Sequence, residues 1–552
     1  MRFLKFLFFL IIYQAATAQN IDGTGKYKTL GLIWGFLKYH HPEVSKGKYD
    51  WDSKFVDMYD KVEAIKTNAE LNALYADWIA SLGKIPEISS RKKLPKNIFM
   101  ENEDYRWFDT SGFDASLIAT LNKLKECKYN AGKHYASVGS LSGVQDFGNE
   151  KGFKEFDISK KSHRLLNLFS FWNMTQYWNI NKYMFDDDWL EILDESIAEF
   201  IAADNTIAMD WAKAKIFTRL KDSHTQTLFK GLVETLDQKR TPFAFVNCND
   251  TLVINVAYNM NWFTKNGLSL GDCITAIDGV SVKQLLKDNA GKYQAAGNEN
   301  YLRSMYSSWL RYNQGDSARY DIVHRDGTKE TKVLEHFEKI DFDKELQQLK
   351  GMPVKLPDDI GYIYLEKTTK DELKEFFAKN RDKKGIILDL RNYPENFRQR
   401  DLTKYLLPEK KKFLSWMQSA GIPGLAEKDA DVTLDFIEDP FATGHSKEYY
   451  KGKVVLLVDY RTISWSEFLG MAIQQAHNCV TIGEPTAGVV VNVTSFTLPD
   501  KTSMRFTGPQ AFYPDGGEVV YRKGLKIDVP IRQKALKYDA GLIFREAFKV
   551  LE

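Results

Sequence analysis

The chain has 552 residues, 43% of them apolar and 13% aromatic, so it is a globular protein with enough length for three or four domains. Its 76 basic and 74 acidic residues leave a net charge of +2, and nothing in that balance points to nucleic acid or an anionic surface as a partner.

The N-terminus reads MRFLKFLFFLIIYQAATAQN: Arg2 and Lys5, an apolar run, then Ala16-Thr17-Ala18. That is the order of a secretory signal, with cleavage expected after Ala18. The run is short for a membrane span, and no other stretch approaches that length. The expectation is an exported protein, periplasmic or secreted, with residues 1–18 removed. Four cysteines (Cys127, Cys248, Cys273 and Cys479) form no CxxC pair; Cys248 and Cys273 are either a disulfide or two buried thiols.

An ungapped repeat follows, at an offset of 138 positions. Trp34 matches Trp172, Tyr39 matches Tyr177, Asp50-Trp51 matches Asp188-Trp189, and Leu82 matches Leu220. Both copies, 19–90 and 161–240, have helical spacing of apolar residues, and two helical units packed on each other or one separate module would produce this pattern. They differ at the end. The first closes SLGKIPE (81–87), the second RLKDSHTQT (219–227), so Asp222, Ser223 and His224 stand where Lys84, Ile85 and Pro86 stand in the first. A polar, histidine-bearing end on one copy alone marks a candidate for chemistry; a lone histidine at a helix end is otherwise a solvated terminus. Between the copies, 91–160 is polar and rich in Gly, Ser and Lys, the composition of a linker with some local structure.

Residues 241–345 contain strand-like runs (LVINVAY, ARYDIVHR) around NGLSLGDCITAIDGVSVKQLL, in which Gly271-Asp272 and Asp278-Gly279 predict turns either side of CITAI. From 346 to 552 strands alternate with helices: IGYIYL, GIILDLR, KVVLLVDY and CVTIG against DELKEFFAKN and SEFLGMAIQQ. That is α/β patterning with a mostly parallel sheet. Within it, RTISWSEF (461–468) sets two serines between a buried strand and a helix. Ser464 or Ser466 at such a junction can present its hydroxyl, but a serine is a weak nucleophile without a base.

Four stretches in this order resemble the C-terminal processing (tail-specific) and tricorn-like serine peptidases: RLKDSHTQT, GLSLGDCITAIDGVSV, ILDLRNYPENF, and TISWSEF followed by TIGEPTAG. The resemblance spans most of 160–535. It implies an α/β multidomain protein: a helical N-terminal module, a PDZ-like β-rich domain, and a peptidase core of the ClpP/crotonase-like ββα-spiral kind. It also implies Ser464 as the nucleophile, three residues before Glu467, with the Trp465 amide as an oxyanion donor; Ser466 is then expected as a helix cap. Tail-specific members use a lysine in a TxGK turn, but here that position is Val489. Tricorn-like members use a serine-histidine pair, which implies Ser223-His224, with His224 as the base and Ser223 orienting it. The orienting carboxylate is expected just before the C-terminal G-x-x-P-D segment, where this chain has Tyr521; Glu518 is the nearest candidate and Asp222 the fallback. The DLR-N-P turn continues Pro394-Glu395-Asn396 rather than with glycines, so the second oxyanion amide falls to Glu395. No cofactor is expected. HExxH is absent from the sequence and His40-His41 lies on an aromatic helix, so no metal site is expected either. The functional expectation is an exported serine endopeptidase acting on unstructured or C-terminal segments of polypeptides, with free peptide C-termini as partners of the PDZ-like domain. The alternative is an inactive peptide-binding scaffold of the same fold, which Val489 and the altered glycine turn would suit.

Overall fold

A computed structural model describes residues 23–86, 98–139, 143–225, 227, 229–236, 239–313, 315–338, 347–348, 355–428, 442–514 and 518–552. The expected leader, residues 1–18, lies outside the described residues. Among those described, no helix is long and apolar enough to cross a membrane.

Each repeat copy is three helices: Gly25–His40, Trp51–Ala64 and Asn68–Ser81 in the first, Lys161–Trp178, Trp189–Ala202 and Thr206–Thr218 in the second. The second helix of each begins at the repeated Asp-Trp because the aspartate side chain accepts a backbone amide, Asp50 from Ser53 and Asp188 from Leu190. The repeated tryptophans explain themselves in pairs. The Trp34 indole donates to the Trp51 carbonyl at 2.8 Å and the Trp51 indole returns the bond to the Trp34 carbonyl at 3.0 Å. Trp172 and Trp189 make the same exchange, at 2.8 and 3.2 Å. The indole N–H groups would otherwise be buried without partners.

The two units pack on each other. A Cβ on Gly31 would fall within 2.4 Å of the Phe169 ring, and one on Gly35 within 2.2 Å of the Asn173 amide. Asn173 Nδ2 donates to the Gly31 carbonyl at 3.0 Å, and the Tyr39 and Tyr177 rings meet at 5.8 Å between centroids. Each of these residues touches its own counterpart 138 positions on, so the copies face one another across a local two-fold axis. One core joins both units to the hairpin residues Phe496, Leu498, Met504 and Phe506. His40 is packing, as expected: buried, stacked on Phe36 and bonded through Nε2 to the Tyr105 hydroxyl.

The segment expected to be a linker carries more structure than its composition suggests. Ala115–Cys127 is a helix capped by Asp114 on the Leu117 amide at 2.8 Å, burying Leu117, Leu121 and Leu124. Ile98–Glu101 pairs antiparallel with Leu425–Lys428, tying this segment to the C-terminal part. Its apolar residues lie at helical spacing but are thinly spread among polar ones, which hid them.

The small domain is an antiparallel sheet of Phe243–Asn247, Leu252–Ala257, Cys273–Ile277, Ser317–Val323 and Lys329–Glu335, closed by the helix Val282–Tyr293. Gly271 (φ 97°), Asp278 (φ 49°) and Gly279 (φ 79°) make the turns read around CITAI. Cys248 and Cys273 lie together against Val253 as free thiols.

The C-terminal core is a parallel sheet in the order Ile360–Tyr364, Gly385–Asp389, Lys453–Val458, Cys479–Gly483, Val529–Pro530. Alternate residues serve opposite faces. Ile386, Leu388, Val454 and Leu456 pack with Leu373 and Phe377 of the helix Lys370–Lys379 and with Leu469 and Met471 of the helix Trp465–Ile473. Ile387, Val455 and Leu457 pack with Ile543, Ala547 and Leu551 of the helix Leu542–Leu551. Covered faces are what make near-continuous apolar strands stable in water.

Candidate active site

The strand Lys453–Val458 runs into a turn held by Thr462, whose hydroxyl donates to the Leu390 carbonyl at 2.9 Å. Ser464 follows with φ 56° and ψ −113°, a backbone state that costs a side-chain-bearing residue energy, and it is only half-buried. The helix begins at Trp465, the first helical position, where an amide has no intrahelical acceptor. That leaves the Trp465 N–H beside Ser464 suited to an oxyanion.

Glu467 anchors this turn. Its buried carboxylate accepts the Ser464 amide at 3.2 Å, the Gly488 amide at 2.7 Å, the Val489 amide at 2.8 Å and the Thr486 hydroxyl. Burial raises its pKa while these four donors act the other way. Glu467 marked the serine in the sequence, but its own role needed the fold. Ser466 is not the expected helix cap: buried, it donates to the Asn392 carbonyl at 2.9 Å and so pins the DLR-N-P turn to the serine helix. Glu395 is exposed on that turn.

His224 comes from the opposite side. The third helix of the second repeat copy ends at Thr218, and Lys221, with φ of 48°, then turns the chain as Gly83 (φ 111°) does at the matching position of the first. Asp222, Ser223 and His224 are then buried. The His224 amide donates to Asp222 Oδ1 at 2.9 Å, and Arg505 Nε donates to the His224 carbonyl at 3.0 Å. Thr507, at the end of the strand Ser503–Thr507, lies between carboxylate and ring. Its amide donates to Asp222 Oδ2 at 2.6 Å, its Oγ1 lies 2.8 Å from Asp222 Oδ1, and His224 Nδ1 is 2.9 Å from the same Oγ1. Asn181 holds the Thr507 carbonyl at 3.0 Å. Burial lowers the pKa of His224, favouring the neutral imidazole that a base requires.

Two expected roles are corrected here. Ser223 does not bond the imidazole; its hydroxyl donates to the Ala487 carbonyl at 2.8 Å. Glu518 does not reach His224; it is about half exposed and lies 3.7 Å from Lys523 Nζ and 3.8 Å from Lys526 Nζ, so the carboxylate at the histidine is Asp222. Asp222, the fallback in the sequence, takes the place expected of Glu518, whereas Thr507 carries no sequence mark at all.

Serine and histidine sides meet on one turn. Ser223 binds Ala487, the Ala487 amide donates to the Thr462 carbonyl at 3.2 Å, and Glu467 holds the residues on either side of Ala487. Among the described residues no hydrogen bond joins the Ser464 hydroxyl to the imidazole, whose one bond is through Nδ1. At the positions where the resemblance implied a lysine and a glutamate, Val489 and Tyr521 are packed together with Ala296, Tyr301 and Ala487 in one apolar cluster. Tyr521 is buried beside Asp222 without a well-formed hydrogen bond of its own; burial first, then that carboxylate, holds its pKa far above the usual phenol range. Among the described residues no cluster of His, Cys, Asp or Glu could hold a metal ion.

Residues 359–531, which hold the parallel sheet and the strained Ser464, match the model of peptidase family S41. In fold the chain is similar to the structure of mature CPAF complexed with lactacystin, at 11% identity and a TM-score of 0.55 over 71% of this chain and 98% of that one. A second structure of mature CPAF gives 10% identity and a TM-score of 0.53 over 71% and 96%. No curated protein sequence matches the chain.

Proposed function

We propose that the protein is an exported endopeptidase that cuts unstructured or C-terminal segments of polypeptides, with Ser464 as nucleophile and His224 as its base. His224 Nε2 takes the Ser464 proton as the hydroxyl attacks the scissile carbonyl, and returns it to the leaving amine. The Trp465 amide receives the developing oxyanion. Asp222 orients the imidazole, and Val489 leaves no lysine to do the base's work. The observation that carries this reading is the 486–489 turn, gripped by Glu467 from the serine side and by Ser223 from the histidine side.

Labelling of the purified mature protein with a fluorophosphonate probe tests it: the adduct is expected on Ser464, and folded protein that takes no label would overturn it. The antiparallel domain is the PDZ-like part in this reading, and holds a free peptide C-terminus by strand addition and carboxylate capture. A peptide with an apolar, free C-terminus should bind more tightly than its amidated form; equal affinities would remove that role. N-terminal sequencing of exported protein should begin at Gln19.

A further inference from the structure

We infer that Thr507 is a positioning residue whose hydroxyl fixes the proton of His224 on Nδ1, leaving Nε2 bare toward Ser464; this rests on the reading of His224 as the base. The argument is an inventory of protons. A threonine hydroxyl has one proton to give and lone pairs to receive with. Thr507 Oγ1 has two partners, Asp222 Oδ1 at 2.8 Å and His224 Nδ1 at 2.9 Å. The carboxylate oxygen only accepts, and Asp222 already accepts the His224 and Thr507 amides. The hydroxyl proton therefore goes to Asp222, and the contact to the ring is satisfied only if Nδ1 carries a proton that Oγ1 accepts. The opposite tautomer would need the one hydroxyl proton at Nδ1 and would set two lone pairs against each other at 2.8 Å inside a buried site.

Thr507 is well placed to hold this arrangement. Its amide and hydroxyl clamp both oxygens of one carboxylate, and Asn181 fixes its carbonyl. The residue is buried, so no water competes for the hydroxyl. When His224 takes the serine proton, both ring nitrogens carry hydrogen and the positive charge reaches Asp222 through the polarised hydroxyl. The carboxylate is thus one hydroxyl removed from the ring rather than bonded to it.

The test is nitrogen NMR of the full mature chain labelled with ¹⁵N-histidine, the His224 signals being assigned by their loss in His224→Gln. A pyrrole-type Nδ1 and a pyridine-type Nε2 are expected in the neutral ring. The reverse pattern in the wild-type protein would overturn the inference without any variant being made. Thr507→Val, which keeps the shape and removes the hydroxyl, should release the tautomer preference and lower kcat roughly ten- to a hundredfold with KM little changed. Thr507→Ser should restore both. Unchanged tautomer and kcat in folded Thr507→Val would also overturn it. Full activity in His224→Gln would instead defeat His224 as the base, an outcome the wild-type tautomer pattern does not depend on.

Discussion

The two helical units are the same device put to different ends. Both turn their second helix on an Asp-Trp pair, both exchange indole hydrogen bonds, and both follow their third helix with a left-handed residue at matching positions, Gly83 and Lys221. Beyond that residue they part. Lys84 and Pro86 are exposed, while Asp222, Ser223 and His224 are buried against Thr507 and Ala487. The scaffold up to Leu82 and Leu220 is shared; the buried polar cluster begins two residues later. At the contact between the units the likeness is broken on purpose of space: Gly31 and Gly35 of one give room to Phe169 and Asn173 of the other. Two identical copies could not pack this way.

The comparison breaks most visibly at its matching ends. His224→Ala and Ser464→Ala should each lower peptidase activity by a factor on the order of 10⁴, the double variant losing little more, because nucleophile and base act as one unit. Pro86→Ala, at the position of His224 in the first unit, should leave activity unchanged. Wild-type activity should fall about tenfold per pH unit on the acid side as the imidazole takes a proton. Since burial lowers the His224 pKa, the neutral base persists to lower pH, and the midpoint of that limb in a kcat/KM profile should lie below the ordinary histidine value. A limb at or above it would contradict the buried imidazole.

Val489→Lys separates a site built around imidazole from one that merely lost its lysine. Val489 is 1% exposed against Tyr521 and Tyr301. Glu467, which accepts the Val489 amide, already takes four donors, so burying an ammonium in the apolar cluster should cost about 3 kcal/mol or more in denaturant unfolding and bring no gain in activity. Activity recovered in Val489→Lys combined with His224→Ala would reverse that conclusion. Gly35→Ala probes the contact between units: the new methyl meets the Asn173 amide, and a loss of about 1–3 kcal/mol is expected, read as a lower Tm. The smallest effect sharpens the likeness. Trp34→Phe and Trp172→Phe each remove one buried indole hydrogen bond, and should cost about 1–2 kcal/mol, equal to within about 0.5 kcal/mol.

How much of this the residues announce depends on how local the cause is. The repeat, the parallel sheet and the serine turn are legible because periodicity and short motifs produce them within a few residues. His224 is legible because the two copies differ there. The orienting carboxylate is not: Glu518 has the better place along the chain, but its turn leads it to Lys523 and Lys526. Asp222 becomes the partner only because a threonine 285 residues away closes over it. Ser223 and Ser466 are misread for the same reason, since their acceptors, Ala487 and Asn392, lie 264 and 74 residues away. Hydrogen bonds across such distances leave no pattern in a single sequence.

The backbone of Ser464 has a consequence for thermal resistance. A φ of 56° with ψ of −113° is comfortable for glycine and costly for serine, by about 1–3 kcal/mol. Ser464→Gly should therefore melt at a higher temperature than the wild-type protein while doing no chemistry, whereas Ser464→Ala keeps the unfavourable geometry and gains nothing from its relief. In the reading of Ser464 as nucleophile, the chain gives up heat tolerance at this one position to present a hydroxyl at the head of the helix.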